Sequence, residues 1–94
     1  MTKSERLNQV LNQIAKELNQ ATSREQAESM NLDKYLFLEN NSAYGGYRVV
    51  NVGIKNGAHY GAFNGNGAEV RLKAAEMMTK LNSILTGIQL QKQL

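Results

Sequence analysis

His59 is the only histidine in a 94-residue chain that contains no cysteine, so the chemistry open to it is narrow from the start. A zinc centre takes three or four ligands, and a single imidazole would have to recruit carboxylates. Neither Asp33 nor Glu39 is placed by spacing to assist it. The serines at 4, 23, 29, 42 and 83 stand in no nucleophile elbow and beside no paired base, so an activated hydroxyl is missing as well. No carboxylate pair stands out for acid–base work. These residues read as a non-enzyme, with no metal site and no cofactor.

Two other constellations suit binding. Seven of the eight glycines fall between residues 45 and 67, and the run Asn64-Gly65-Asn66-Gly67 leads toward the start of a helix. Free amides at such a start favour an anion, with Arg71 and Lys73 one turn further on. This marks Asn64, Gly65, Asn66, Gly67, Arg71 and Lys73 as a candidate phosphate site. The run lacks the G-x-x-x-x-G-K-S/T pattern, and Glu69 would oppose an anion; the plainer reading is a tight connection with an Asn cap. The second constellation is aromatic: Tyr44, Tyr47, His59, Tyr60 and Phe63, interleaved with Arg48 and Lys55. Rings beside cations suit a polar protein interface or base stacking; the plainer reading puts half of them in the core. Met30, Met77 and Met78 read as core filling.

The elements that must position these residues follow from periodicity. Thr2 and Glu5 have capping-box spacing, and Leu7, Val10, Leu11, Ile14 and Leu18 recur at steps of three and four. This predicts a helix over residues 3–20, with a short continuation capped by Ser23 and Gln26 and stopping near Asn31. Residues 32–38 read as a strand and residues 40–46 as a loop. Tyr47 to Lys55 is the clearest strand, with Val50, Val52 and Ile54 on one side and Tyr47, Val49 and Asn51 on the other. Asn56-Gly57 suits a type I′ turn, returning a third strand over 58–63. A last helix is predicted over 67–87, capped by Asn66 with Glu69 and carrying the stripe Val70, Ala74, Met77, Met78, Leu81, Ile84, Leu85 and Ile88. Gly87 either ends it or lies within it, and the role of the tail, 88–94, stays open.

The order is α-β-β-β-α: one α+β domain over residues 1–94, a three-stranded antiparallel meander with both helices on one face. Its opposite face needs a cover of its own, either water or a partner. Length allows one domain and not two. No apolar run reaches the roughly 18–20 residues of a membrane span, and the first ten residues lack the apolar segment of a secretory signal. A cytoplasmic protein is therefore expected, without a membrane partner. Net charge is +3; residues 1–46 carry −1 and residues 47–94 carry +4, which permits a polyanionic partner.

Tyr44-Gly-Gly-Tyr-Arg-Val-Val50, then Lys55-Asn-Gly57, then a closing helix with Leu81-Asn-Ser-Ile-Leu-Thr-Gly87, resembles small uncharacterised phage and prophage proteins over roughly half the chain. That resemblance implies a phage accessory protein acting in the host cytoplasm, in anti-defence or host takeover. The element order, with a Gly-rich turn feeding the last helix, is also similar to the double-stranded RNA-binding domain, whose basic residues at that helix start grip phosphates. Only Arg71 and Lys73 match that pattern here. Ala68-Glu-Val-Arg-Leu-Lys73 stands where a Lys-rich opening is expected, and Asn40 to Gly46 lacks the Pro and His of that domain's first hairpin loop.

The expectation is a non-catalytic binding module. Its surface is the outer sheet face with Tyr44, Tyr47, Arg48, His59, Tyr60 and Phe63, and its partner is a protein or a second copy of itself. The alternative is a nucleotide or nucleic acid, with rings on the bases and the Asn64–Gly67 turn, Arg71 and Lys73 on the phosphate.

Overall fold

The computed structural model describes residues 1–63 and 70–94. Helix α1, Lys3–Glu17, begins as the capping box requires: Thr2 Oγ1 accepts from the Glu5 amide at 3.1 Å, and Glu5 Oε1 accepts from the Thr2 amide at 3.2 Å. It stops three residues before the expected bound because Asn19 takes a left-handed φ of 54°. The Gln20 amide then bonds back to the Ala15 carbonyl at 2.8 Å, which satisfies an orphan carbonyl at the helix end. Helix α2, Arg24–Ser29, repeats the device: Ser23 accepts from the Gln26 amide at its start, and Asn31, at φ 58°, turns the chain so that the Leu32 amide reaches the Ala27 carbonyl.

Strand β1, Lys34–Asn41, pairs antiparallel along its whole length with β2, Gly46–Gly53. The expected loop over 40–46 therefore shrinks to a single 3-10 turn, Ser42–Tyr44, because Asn40 and Asn41 join the ladder opposite Tyr47 and Gly46. Gly45 and Gly46 carry φ values of 105° and 116°. At Gly46 a Cβ would also meet the Leu72 carbonyl oxygen at 2.5 Å, so only glycine fits there.

The connection from β2 to β3, His59–Gly61, is longer than a type I′ turn. Only Gly57 has positive φ (64°). The Gly57 amide bonds to the Gly53 carbonyl, and the Gly53 amide to the Ala58 carbonyl, closing a loop over residues 54–57. Strand β3 itself keeps three residues, against Val50 to Val52. The chain then returns to the same edge of β2, where Leu72 and Tyr47 exchange both backbone hydrogen bonds, at 2.7 and 2.8 Å.

That bridge explains the largest departure from the sequence reading. Helix α3 runs Ala74–Gln93, not 67–87. Residues 70–73 lie outside it, with Leu72 held in extended backbone. Glu76 Oε1 accepts the Lys73 amide at 3.2 Å and so takes over the capping task at the start. The expected cap by Asn66 and Glu69 lies outside the described residues. At the other end Gly87 sits inside the helix and residues 88–93 are helical. Lys92 Nζ reaches the Glu17 carbonyl at 2.7 Å and its carboxylate at 2.9 Å, pinning the last turn to the end of α1.

Helices α1 and α3 lie on one face of the sheet, and they run parallel: Arg6 and Leu7 adjoin Ala74, Ala75 and Met78, while Glu17 meets Lys92. Between helices and sheet lies the core. Leu7, Leu11 and Ile14 of α1, Leu36, Leu38 and Val49 of the strands, Ala62, and Met77, Leu81 and Leu85 of α3 make one continuous cluster. The apolar stripe read from the sequence fits this, except that Val70, ahead of the helix, is exposed.

Candidate functional site

Pairing fixes which side chains share a face. Leu36 and Leu38 belong to the helix-side cluster. By alternation, Tyr35, Phe37 and Glu39 point to the outer side, opposite Val52, Val50 and Arg48 on β2. His59 and Gly61 of β3 share that side with Val52 and Val50. The outer face is thus apolar at its centre and charged at one end. The Tyr35 and Phe37 rings meet edge-on, centroids 6.5 Å apart and planes at 87°, a favoured aromatic geometry. Val50, only 1% exposed, lies between Phe37 and Gly61, and Val52 between Tyr35 and His59. Phe37 is 43% exposed. Among the described residues, α1 and α3 pack on the other side of the sheet, while Val50 and Val52 on this side are themselves buried.

At the charged end, Glu39 collects three partners from three segments. Its Oε1 accepts from Arg48 Nε at 2.8 Å and from Arg71 Nη2 at 3.2 Å, and its Oε2 takes His59 Nδ1 at 2.5 Å. Arg71 also donates through Nη1 to the Gly46 carbonyl at 3.0 Å. The Arg48 hydrogen bond is the main cause that holds the Glu39 carboxyl well below the usual carboxylate range, at about 2; partial burial opposes the shift, and His59 adds to it. An ionised Glu39 fixes the proton of His59 on Nδ1. The sequence offered no spacing that tied Glu39 to His59, because the two are 20 residues apart; the sheet brings them together.

As chemistry, the cluster is a tie. The carboxylate accepts from two guanidinium groups as well as the imidazole, so it serves as an anchor for cations from β2, β3 and the segment before α3. Among the described residues, no hydroxyl is hydrogen-bonded to His59, and no group of three or more His, Asp or Glu is placed to hold a metal.

The residues singled out in the sequence are divided by this geometry. Arg48 and His59 come together on the outer face. Tyr47 does not join them: it packs on the helix-side core, and its hydroxyl hydrogen-bonds Ser4 Oγ at 2.9 Å. Phe63 also packs against that core. Tyr60 pairs with Asn51 and so lies on the helix side at the sheet margin, while Tyr44 stands 74% exposed on the 3-10 turn. Tyr35 and Phe37, absent from the sequence-based set, take the central outer positions. Of the candidate phosphate residues, Asn64 to Gly67 lie outside the described residues. Arg71 is engaged by Glu39 and Gly46 and precedes α3, whereas Lys73 borders its first turn.

The chain matches no family model, no curated protein and no solved structure. Among the described residues, no helix is long and apolar enough to cross a membrane.

Proposed function

We propose that this chain is a non-catalytic binding module that associates with a protein, in the first instance a second copy of itself, through the outer face of its sheet. The observation that carries the reading is Phe37: a large ring, 43% exposed, at the centre of a face whose flanking valines are dry. An apolar centre with a polar rim is the ordinary anatomy of a protein interface, and here Glu39, Arg48, His59 and Arg71 form that rim. A strand of this length spans about 26 Å, and three strands about 10–14 Å across. The face therefore presents at most about 350 Å² in projection, well under the roughly 800 Å² per partner of a standard interface. Rim side chains must contribute, and the affinity expected is micromolar. A phage accessory protein that acts by occupying a target would fit such a surface.

Light scattering on the eluting protein tests the reading. A dimer that dissociates on dilution and is lost in Phe37→Asp supports it; a monomer at every concentration rules out self-association. The alternative, nucleotide or nucleic-acid binding, has less to use, since the Arg71 guanidinium is already engaged by Glu39 and the Gly46 carbonyl. It calls for a raised ratio of 260 to 280 nm absorbance that salt removes, because phosphate contacts release counterions.

A further inference from the structure

On the opposite side of the molecule, the first turns of α1 and α3 border an open cavity of about 460 Å³. Its floor is apolar: Leu7, Ala74, Ala75 and Met78. The two alanines leave it unfilled, and Met78 is a flexible, polarisable side chain that adapts to what it meets. Its rim is cationic: Lys3, Arg6 and Lys73. None of these three makes an ion pair among the described residues, which holds also for Lys16, Lys34, Lys55 and Lys80; what sets Lys3, Arg6 and Lys73 apart is that they border one apolar cavity. The two acids of the same turns face backbone instead: Glu5 accepts the Thr2 amide and Glu76 the Lys73 amide, each at 3.2 Å.

We propose that this cavity docks an acidic amphipathic peptide segment of a partner protein. One apolar side chain of the segment enters over Leu7 and Met78, and Asp or Glu residues beside it pair with Lys3, Arg6 and Lys73. The volume lies in the range of ordinary ligand sites, about 300–1,000 Å³, and accommodates one or two side chains. Charge complementarity sets the sign of the partner, and the floor sets its kind. A nucleic-acid backbone would use the cations and leave the apolar floor uncovered, whereas an acidic segment bearing Leu or Phe uses both. The site lies on the helix side and is independent of the outer sheet face.

Fluorescence anisotropy on the full chain tests this with a short labelled peptide that alternates Leu with Glu. Saturable binding is expected, at least about tenfold weaker when Leu is replaced by Ser or Glu by Gln, a difference readily resolved in Kd. Ala75→Glu, at an exposed helical position, places a negative charge in the cavity and should abolish binding with the circular dichroism melt unchanged. Arg6→Gln with Lys73→Gln should weaken it about tenfold, and Phe37→Asp should leave it alone. Equal binding of the Ser-substituted peptide or of duplex RNA would overturn the proposal, as would binding that survives Ala75→Glu or no saturable binding of the Leu–Glu peptide.

Discussion

Glu39 is the residue on which the outer face depends most. Its carboxyl sits at about 2 when folded against an ordinary 4.5. A depressed carboxylate contributes stability above the unfolded value and loses it as pH falls through the folded one. Between about pH 4.5 and pH 2, then, the chain should lose on the order of 2 kcal/mol from this group, discounted for solvent screening. Glu39→Gln should remove that part of the acid transition and cost a similar amount at neutral pH, since Arg48, Arg71 and His59 keep their positions without an anion. Urea melts of both proteins across that range check it; parallel curves would refute it. Gly46→Ala tests a steric point: the backbone φ of 116° and the Leu72 carbonyl both exclude a Cβ, so a loss of about 2–3 kcal/mol is expected. The network could not be read from the sequence, because its members come from residues 39, 48, 59 and 71 and no local spacing joins them.

At the scale of elements, the helices were largely legible and the faces of the strands were not. Caps and stripes are local, so Thr2 with Glu5 and Ser23 with Gln26 could be found in the chain and recur in the structure. The strand β1 hid its alternation. Tyr35 to Leu38 are all apolar, so a period of two leaves no trace in hydropathy, and nothing local says that the leucines face the helices while the rings face out. Strand β2 has the same ambiguity, with Val49 and Val50 both buried on opposite sides; that is why Tyr47 entered the sequence-based set although it packs inward. The start of α3 was misplaced because the Leu72–Tyr47 bridge, a contact across 25 residues, holds the chain extended where apolar spacing suggests a helix. Its end was left open for want of Lys92–Glu17, another distant pair. Deleting residues 88–94 should therefore destabilise the fold by about 2–3 kcal/mol, through loss of the Ile88 side chain from the core margin and of that tie. Thermal melts of the shortened chain measure this, and an unchanged midpoint would show the last turns to be dispensable.

In the whole molecule α1 and α3 share one core with the sheet, and the outer face of that sheet carries the proposed association. The layer arrangement was legible from element order and hairpin connections. Which rings occupy the outer face was not, and the answer, Tyr35 and Phe37, shifts the centre of the candidate surface from β3 and its flanking loops to β1. Stability and association separate cleanly at this scale. Leu81→Ala removes a fully buried side chain and should cost about 2–5 kcal/mol, so it would abolish association only by unfolding the chain. Phe37→Asp changes a half-open position and should spare the fold. Size-exclusion chromatography with multi-angle light scattering, run on wild type and Phe37→Asp over a micromolar concentration series, is the most direct test. The wild-type mass should rise from monomer to dimer with concentration, and the variant should stay monomeric with an unshifted melting temperature. A wild type that remains monomeric throughout, or a dimer that Phe37→Asp leaves intact, would contradict association through the outer face.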